Sequence, residues 1–461
     1  MDFYAPYISA SNKQTPKNYT EALALARLFK DTDWKKALDN YLRAHAMAPT
    51  QLEPFIEIAE YYRCKGENLI SNTFARMAYL FSSASTSIEI KLRIYFEFLV
   101  TSYYVDRKEE GLLASDRLIF NRTIHSGMKN QTFINQMYYI PLLENLHIHS
   151  IEFESPLVED PCEEYEEQRY RLSNPCIVKD KNGYIALVRC VNFLNDQPVV
   201  IFYCKHKIVK SRTHIVRLDK NLQILFCNEI NETLPRKQFI CRYQGLEDCR
   251  MFRNESIENS PWYAIVTTAD TNQKNLPKLS IARFKNEQGE IDLFTTLDGP
   301  YPDKIEKNWM PFFHKNEIYA IYGYDPFIIY KFDINTGKYE TIVSYIPEID
   351  LTRLRGSAPP ISYEINDEQG YLLITHEVII FGEYNYYHRF VWINKNFRIQ
   401  KISHPFYFKL RGFEFCAGMC HMHDEDCVFV STGVRDREAL VYKVENTKIR
   451  KMLKNIDEYV I

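Results

Sequence analysis

Two hydrophobic patterns divide the chain. From about residue 18 to residue 145, the apolar positions have the spacing of helices, whereas beyond Pro156 they alternate or form short runs. The second pattern predicts strands, the clearest being Ile185–Val191, Val199–Tyr203, Tyr371–Ile380 and Cys427–Val430. We therefore expect a multidomain α + all-β protein, with a helical domain over residues 1–150 and a β domain over residues 151–461.

A repeat of 34 residues runs through the helical part. Its second helix places small, aromatic, small and proline residues at Ala37, Tyr41, Ala44 and Pro49, and one period later stand Ser71, Ala75 and Ala78. Small residues allow paired helices to approach closely, and a large side chain fills the next groove. The spacing predicts a tetratricopeptide-like array, with a third pair at Ile88–Tyr104 and Lys108–Phe120. Such an array can recruit a protein partner; a generic helical bundle is the alternative.

Repeated hairpins organise the β part. The segment Leu218–Ile224 recurs as Ile393–Ile399, and Phe332–Lys338 is a looser copy. Each is a strand, a polar turn and a strand. Asn and Asp stand where glycine is common, and we attribute this to their tolerance of left-handed backbone.

Five polar or small-residue clusters each open an apolar strand, about 50–75 residues apart. They are Ser173–Pro175, Glu247–Arg250, Lys307–Pro311, Arg355–Pro360 and Glu414–Gly418. One cluster per four-stranded blade predicts a five-bladed β-propeller. The innermost strand of each blade begins at the central cavity, so these polar residues are expected to converge on one funnel.

The clusters resemble the five-bladed propellers of glycoside hydrolase family 130, the β-mannoside phosphorylases and hydrolases, and those of the related β-1,2-mannosyltransferases. The likeness spans roughly residues 165 to 445. It is carried by Asn174-Pro175, Arg189 with Asn192, Gly245–Arg250, Lys307–Trp309 and Asp436. The helical part separately resembles tetratricopeptide segments that accompany glycosyltransferases.

The resemblance implies that Asp248 is the catalytic proton donor to the glycosidic oxygen. It also implies that the mannosyl unit is held by Asn174, Arg189, Lys307, Tyr322 and Asp436. The further substrate-binding candidates are Asn192, Glu247, Arg250, Asn308, Arg355, His388 and Glu414.

A single carboxylic acid fits an inverting reaction, because a retaining one needs a second carboxyl about 5 Å away. Glu247 precedes Asp248 on a strand, so we expect it on the opposite face, where it would be a poor nucleophile. Arg250 would share the Asp248 face and keep its charge defined. A purely structural Asp248–Arg250 ion pair is the alternative.

The sequence indicates the binding site of the incoming nucleophile less clearly than it indicates the acid. Family phosphorylases gather Arg and His around phosphate after the Asp, but residues 267–274 contain no Arg. A phosphate site would have to use Lys278, Arg355 or His388. We therefore favour transfer from an activated sugar over phosphorolysis, with hydrolysis also open. A non-catalytic interaction scaffold, built from the same two folds, is the alternative in another class.

Composition and charge argue for some classes of function and against others. A net charge of −3 shows no overall footprint for nucleic acid, and only 15 glycines argue against a glycine-rich nucleotide loop. The 33 Tyr and 29 Phe suit strands and sugar-stacking surfaces. No secretory signal or membrane span is recognised, and the 11 scattered cysteines are typical of reduced thiols, so a cytoplasmic location is expected.

No cofactor or metal is expected. Cys416, Cys420, His421 and His423 invite a zinc interpretation. A strand would, however, put Cys420 and His421 on opposite faces, and the chain has no paired CxxC knuckle. Buried thiols and a lining histidine are the favoured interpretation.

Overall fold

A computed structural model describes residues 15–165, 168–196, 199–232 and 239–461. The chain forms two compact units: Met1–Ile140 with Tyr459–Ile461, and Pro141–Glu458. The division lies ten residues before the expected boundary at 150, and the strand His147–Ser150 lies in the second unit. Among the residues described, none of the helices has the length and apolar character needed to cross a membrane.

The first unit is helical. In its described part the helices are α1 (Tyr19–Phe29), α2 (Trp34–Met47), α3 (Glu53–Cys64), α4 (Asn68–Phe81), α5 (Ile88–Ser102), α6 (Lys108–Phe120) and α7 (Ser126–Gln136). Consecutive helices pack as the pairs α1–α2, α3–α4 and α5–α6. The third pair lies where the sequence predicted it.

Contacts between side chains in this unit repeat with the 34-residue spacing of the sequence. Tyr41 and the small residues around it are fully buried, as the pattern requires. Two ion pairs join residues 34 positions apart: Arg63 with Glu97 at 2.8 Å and Arg76 with Glu110 at 3.1 Å. Successive helix pairs therefore repeat their contacts, whereas the tetratricopeptide assignment itself stays a prediction.

The second unit is built almost entirely from strands. In chain order they are β1 (His147–Ser150), β2 (Arg171–Asp180), β3 (Gly183–Val191), β4 (Phe193–Asp196), β5 (Val199–Phe202), β6 (Val209–Leu218), β7 (Ile224–Glu229), β8 (Asn231–Glu232), β9 (Tyr243–Gly245), β10 (Glu247–Phe252), β11 (Tyr263–Thr268), β12 (Lys278–Phe284), β13 (Glu290–Thr296), β14 (Met310–His314), β15 (Glu317–Tyr324), β16 (Phe327–Phe332), β17 (Tyr339–Tyr345), β18 (Arg355–Ile365), β19 (Glu368–Phe381), β20 (Glu383–Asn394), β21 (Ile399–Ser403), β22 (Glu414–His421), β23 (Cys427–Val434), β24 (Glu438–Glu445) and β25 (Leu453–Asn455). A short helix α8 (Asn446–Met452) precedes β25.

These strands form the five blades of a β-propeller. From the inside outwards, blade 1 is β2-β3-β6-β7, blade 2 is β10-β11-β12-β13, blade 3 is β14-β15-β16-β17, blade 4 is β18-β19-β20-β21 and blade 5 is β22-β23-β24-β1. The first strand of the unit is thus the outer strand of the last blade, with His147 opposite Lys443. This exchange closes the ring and confirms the predicted fold class.

The inner strands position the candidate site. They are β2, β10, β14, β18 and β22, and neighbouring members contact one another around the ring. Each polar cluster identified in the sequence lies at the beginning of one inner strand. The five clusters therefore share one end of the propeller axis, as predicted.

The repeated hairpins join the third and outer strands of blades 1, 4 and 3, but their turns differ from the expectation. The left-handed residues are Leu222 (φ 65°), Phe397 (φ 58°) and Gly337 (φ 74°), not Asn or Asp. Instead, the Asp219 side chain accepts hydrogen bonds from the backbone N–H groups of residues 221 and 223, both at 2.8 Å. The polar residue therefore secures the turn by side-chain bonding, and a buried Leu or Phe takes the strained position.

Candidate functional site

The backbone itself demands short polar residues at three of the clusters. Asn174, Asp248 and Asn308 have φ values of 43°, 47° and 65°, in the left-handed region that Asn and Asp tolerate best. In blades 1 and 2 the pairing register shifts between Ser173 and Cys176 and between Glu247 and Arg250. Such bulges re-aim side chains and interrupt the alternation of faces along a strand.

Asp248 is held by two residues of the neighbouring blade. Arg189 Nη1 lies 3.2 Å from its Oδ1, and Asn174 Nδ2 donates a hydrogen bond of 2.8 Å to the same oxygen. Burial raises the pKa of Asp248, but the charges of Arg189, Arg250 and Lys307 outweigh it, and the pKa lies below its usual value. The carboxyl is therefore ionised at neutral pH in the ligand-free protein.

Glu247 joins the same cluster, and the expectation that it faces away from Asp248 is wrong. Its Oε1 lies 3.5 Å from Arg189 Nη2, and its Oε2 lies 3.3 Å from Lys307 Nζ. The bulge at Asp248 breaks the alternation on which that expectation depended, so consecutive carboxylates reach one arginine.

Asp436 approaches from blade 5, in the turn between β23 and β24. Ser173 Oγ donates to its Oδ1 at 3.0 Å, and Asn195 Nδ2 donates to its Oδ2 at 3.2 Å. Burial raises the pKa of Asp436 more than Arg189 lowers it, and the charge of Asp248 adds to the rise. The two aspartates are thus displaced in opposite directions, a pattern typical of acid–base sites.

Arg189 is the central cation of this cluster. It is 8% exposed, and its Nε donates to Ser211 Oγ at 2.9 Å. Burial would lower its pKa, but the charges of Glu247, Asp248 and Asp436 raise the pKa above the usual value. We name Asn174, Arg189, Glu247, Asp248 and Asp436 the carboxylate cluster.

Arg250 lies beneath this cluster and connects three blades. It is fully buried and donates to Ser357 O at 2.8 Å, to Asn308 Oδ1 at 2.9 Å and to the backbone oxygen of Asp248 at 3.1 Å. Burial lowers its pKa. Arg250 and Asn308 therefore engage each other, and the ion pair that Asp248 makes is with Arg189 of blade 1.

Three predicted binding residues are committed to internal contacts. Asn192 accepts from Lys210 N and donates to Ile208 O, both at 2.9 Å, which secures the loop that leads into β6. Glu414 accepts three backbone N–H groups of residues 408–410 at 2.7–2.8 Å. His388 is fully buried against Phe406 and Phe408. The structure thus places these side chains in the packing of the blades, outside the carboxylate cluster.

Two further candidates lie on blades 3 and 4. Tyr322 is half-buried and packs edge-on against Trp309 at a ring distance of 5.3 Å. Arg355 is exposed at the start of β18, opposite His376 of β19, and has no ion pair among the described residues. His376 is buried and stacks on Tyr386. Arg355 is thus a cation that the protein leaves available.

The sequence gives no sign of Asn195 or of the roles of Ser173 and Ser211. Asn195 lies on β4, a hairpin strand outside the five inner-strand clusters, so position along the repeats gave no signal for it. The amide oxygens of Asn174 and Asn195 are both buried without a hydrogen-bond partner. The two asparagines that donate to the aspartates therefore each retain an unpaired acceptor.

A cavity of about 640 Å³ lies at the opposite ends of the inner strands. Its lining includes Cys176–Lys181, Pro359–Ser362 and Gly418–His421. None of the predicted site residues lines it. The chemistry-bearing residues and this cavity therefore occupy different ends of the propeller axis.

The thiols of β22 are buried, and the histidines at its end and just beyond it have protein partners. Cys416 and Cys420 are buried, and burial raises the pKa of both. His421 Nε2 lies 2.7 Å from Ser362 O, and His423 Nε2 lies 2.9 Å from Gly183 O. Within the described ranges, no three His, Cys, Asp or Glu side chains are placed to hold a metal ion.

Comparison with known proteins gives structural likeness alone. No protein-family model and no curated protein matches the sequence. A glycoside hydrolase of the GH130 family of mannoside phosphorylases, which targets β-1,2-mannosidic linkages in Candida mannan, aligns over 67% of this chain and 97% of its own, with 13% identity and a TM-score of 0.45.

Two further solved structures are also similar to this chain. A glycosyl hydrolase from Bacteroides ovatus aligns over 65% of this chain and 95% of its own, with 13% identity and a TM-score of 0.43. A GDP-Man-dependent mannosyltransferase from Leishmania mexicana aligns over 60% and 86%, with 11% identity and a TM-score of 0.34.

Proposed function

We propose that the protein is a carbohydrate-active enzyme that transfers a glycosyl unit, specifically mannosyl, from an activated donor to a hydroxyl acceptor. The observation that carries the proposal is the carboxylate cluster, in which Arg189 pairs with Asp248 and is also acted on by the charge of Asp436, and the pKa values of the two aspartates are displaced in opposite directions. Titratable groups perturbed in this way, converging from three blades, are typical of catalytic sites.

Asp248 is the acid–base residue of the proposed reaction. Because it is ionised in the ligand-free protein, it is ready to accept the proton of an acceptor hydroxyl. The hydroxyl oxygen then attacks the anomeric carbon, and the bond to the leaving group breaks with its electron pair on that group. A sugar phosphate or nucleotide sugar needs no proton on its leaving oxygen, whereas hydrolysis and phosphorolysis of a mannoside would require Asp248 in its protonated form.

The contacts of Glu247 favour inversion of configuration at the anomeric carbon. One of its carboxylate oxygens is near Arg189 and the other is near Lys307. A carboxylate engaged by a cation at each oxygen is a weak nucleophile, so a covalent glycosyl intermediate on Glu247 is disfavoured. The remaining route is direct displacement of the leaving group by the acceptor oxygen, which inverts the anomeric carbon.

The cluster also suits a polyhydroxy substrate. Carboxylates and unpaired amide oxygens accept hydrogen bonds, and sugar hydroxyls donate them. Lys307 and Arg355, at the beginnings of the inner strands of blades 3 and 4, are candidates to face the anionic leaving group. In this proposal the helical unit recruits the acceptor or a protein partner.

The proposal is tested by comparing wild type with Asp248→Asn. Each protein is incubated with mannose 1-phosphate or GDP-mannose and a mannobiose acceptor, and products are measured by mass spectrometry. We expect wild type to form a new glycosidic bond and Asp248→Asn to be slower by about 10²–10⁴-fold, the range for loss of an acid–base group.

Glu255→Gln provides the matched control, because Glu255 is an exposed carboxylate at the opposite end of the inner strands. It should retain the wild-type rate. Equal rates for wild type and Asp248→Asn would contradict the mechanism. Incubation of mannobiose with and without phosphate distinguishes phosphorolysis and hydrolysis from transfer.

A second candidate is a non-catalytic scaffold, favoured by one observation. The pairs Arg189–Asp248 and Lys307–Glu247 each join neighbouring blades, as structural ion pairs of a propeller would. Wild type that neither binds nor turns over any of these sugars, combined with loss of folding in Arg189 and Asp248 variants, would support the scaffold.

A further inference from the structure

A short hairpin of blade 1 reaches the turn of blade 5 that carries Asp436. It consists of β4 and β5, which follow β3 and precede β6 in the chain and pair with each other as a separate two-stranded sheet. Asn195 Nδ2 lies 3.2 Å from Asp436 Oδ2, and Asp196 Oδ1 lies 3.0 Å from Arg437 Nη2. Consecutive residues of the hairpin thus bind consecutive residues of the turn.

The contact with Asp436 fixes the orientation of the Asn195 amide. A carboxylate oxygen that accepts from Asn195 must face the NH₂ group, so the amide oxygen points the other way. That oxygen, Oδ1, is buried and has no hydrogen-bond partner. Buried polar atoms are usually paired, and leaving one unpaired is costly.

The missing partner of Oδ1 must be a donor, because an amide oxygen can only accept. Asp436 and Asp248 accept as well when ionised, and Arg189 already faces Ser211, Glu247 and Asp248. A neutral hydroxyl of a bound polyol is the ligand group that would satisfy Asn195 without placing another charge in the cluster.

We propose that Asn195 is a specificity-determining residue, which accepts a hydrogen bond from one hydroxyl of the bound glycosyl unit through Oδ1 while its NH₂ group holds Asp436. This inference rests on the proposed function, because it assigns a recognition role within the same site. Asp196 pairs with Arg437, which gives the hairpin a second contact with the turn that does not involve the Asn195 amide.

The test is a thermodynamic cycle measured by isothermal titration calorimetry. Methyl β-mannoside and its four analogues lacking the 2-, 3-, 4- or 6-hydroxyl are titrated into wild type and Asn195→Ala. We expect Asn195→Ala to bind the parent about 10-fold more weakly, the scale of one hydrogen bond at a buried partner. One analogue should show the same loss with wild type and no additional loss with the variant.

Two further variants complete the design. Asp196→Asn is the control on the same hairpin: it removes the charge that pairs with Arg437 but leaves Oδ1 of Asn195 in place, so it should remain sensitive to the missing hydroxyl. Asn195→Ser removes the amide with a smaller change in polarity and should repeat the non-additive result. Thermal unfolding of each variant establishes that it is folded.

The outcomes separate the two proposals. Additive losses for all four analogues, or unchanged binding by folded Asn195→Ala and Asn195→Ser, would overturn the role of Asn195 and leave the proposed sugar transfer standing. Wild type that binds no mannoside, and that also fails to turn over the activated donors, would overturn both.

Discussion

Arg189 of blade 1 and Asp248 of blade 2 form an ion pair, with Nη1 and Oδ1 3.2 Å apart. Both side chains are largely buried, at 9% and 16% exposure. Removing one member of a buried pair leaves the other charge uncompensated, so the effects of substitution are larger than for a surface pair. The pair therefore links the junction between two blades to the protonation state of the acid–base residue.

Replacing Arg189 should change the pH dependence of activity. In wild type the pKa of Asp248 lies below its usual value, so activity that requires its ionised form is lost only at strongly acidic pH. Arg189→Gln removes the largest favourable charge and should raise this pKa, which moves the acidic limb of the kcat/KM profile, the one that reports the ligand-free enzyme, to higher pH. Arg189→Lys, which retains a positive charge, should move the limb less.

A pH–rate profile of each folded variant checks this expectation. A limb that stays at the wild-type position in Arg189→Gln would show that Arg189 does not control the ionisation of Asp248. A limb that moves to lower pH would contradict the assigned sign.

Gly433 is expected to be essential to the position of Asn174. A Cβ at residue 433 would lie 2.0 Å from Asn174 Oδ1 and 2.5 Å from Asn174 N, so the neighbouring backbone would have to shift. Gly433→Ala should lower the free energy of unfolding by about 1–3 kcal/mol, the cost typical of overpacking. It should also weaken the Asn174–Asp248 hydrogen bond and reduce turnover.

Urea unfolding and the transfer assay measure the two effects. Gly323→Ala is the matched control in the same unit, because the nearest group to its Cβ would be Pro326 O at 3.3 Å. If Gly433→Ala is as stable and active as this control, the close approach does not constrain Asn174.

His376 should make the protein less stable at mildly acidic pH. Burial, followed by the charges of Arg250 and Arg355, lowers its pKa from 6.5 to about 3. Between these values the unfolded chain binds a proton that the folded chain does not, so stability falls as pH decreases below 6.5. At pH 5 the loss is about 2 kcal/mol, from about 1.4 kcal/mol per pH unit.

His376→Phe, which retains a ring to stack on Tyr386, should reduce this dependence. The measurement is the urea midpoint of both proteins at pH 5 and pH 7.5. An unchanged difference between the two pH values in the variant would mean that His376 does not contribute the expected proton linkage.

Local patterns were sufficient to predict the fold. Small residues at 34-residue spacing give the helix pairs, and turn chemistry at Asp219 and its counterparts gives the outer hairpins. The five inner strands follow because each apolar run begins with a polar cluster. Each of these signals is a pattern of residue types along the chain, so the sequence displays it without any knowledge of which strands meet.

The composition of the site was predicted less completely, and the reason lies in backbone geometry. The alternation rule placed Glu247 away from Asp248, but the left-handed conformation of Asp248 brings both carboxylates to Arg189. Likewise, Glu414 was selected for its place in a cluster, yet it binds the backbone of residues 408–410. A bulge and a capped loop are set by contacts that no local pattern records.

The sequence by itself determined which residues begin the inner strands, that the β unit has five blades, and which charged groups are available there. Only the tertiary structure decided which of them meet: Asp436 lies beside Ser173, 263 positions away in the chain, and Asn195 joins them from a separate hairpin. The pairing of β1 with β24, which closes the ring of blades, likewise depends on the tertiary structure. Local hydrogen bonding and hydrophobic periodicity act between near neighbours, whereas these pairings depend on how the blades pack and on the shared burial of their charges.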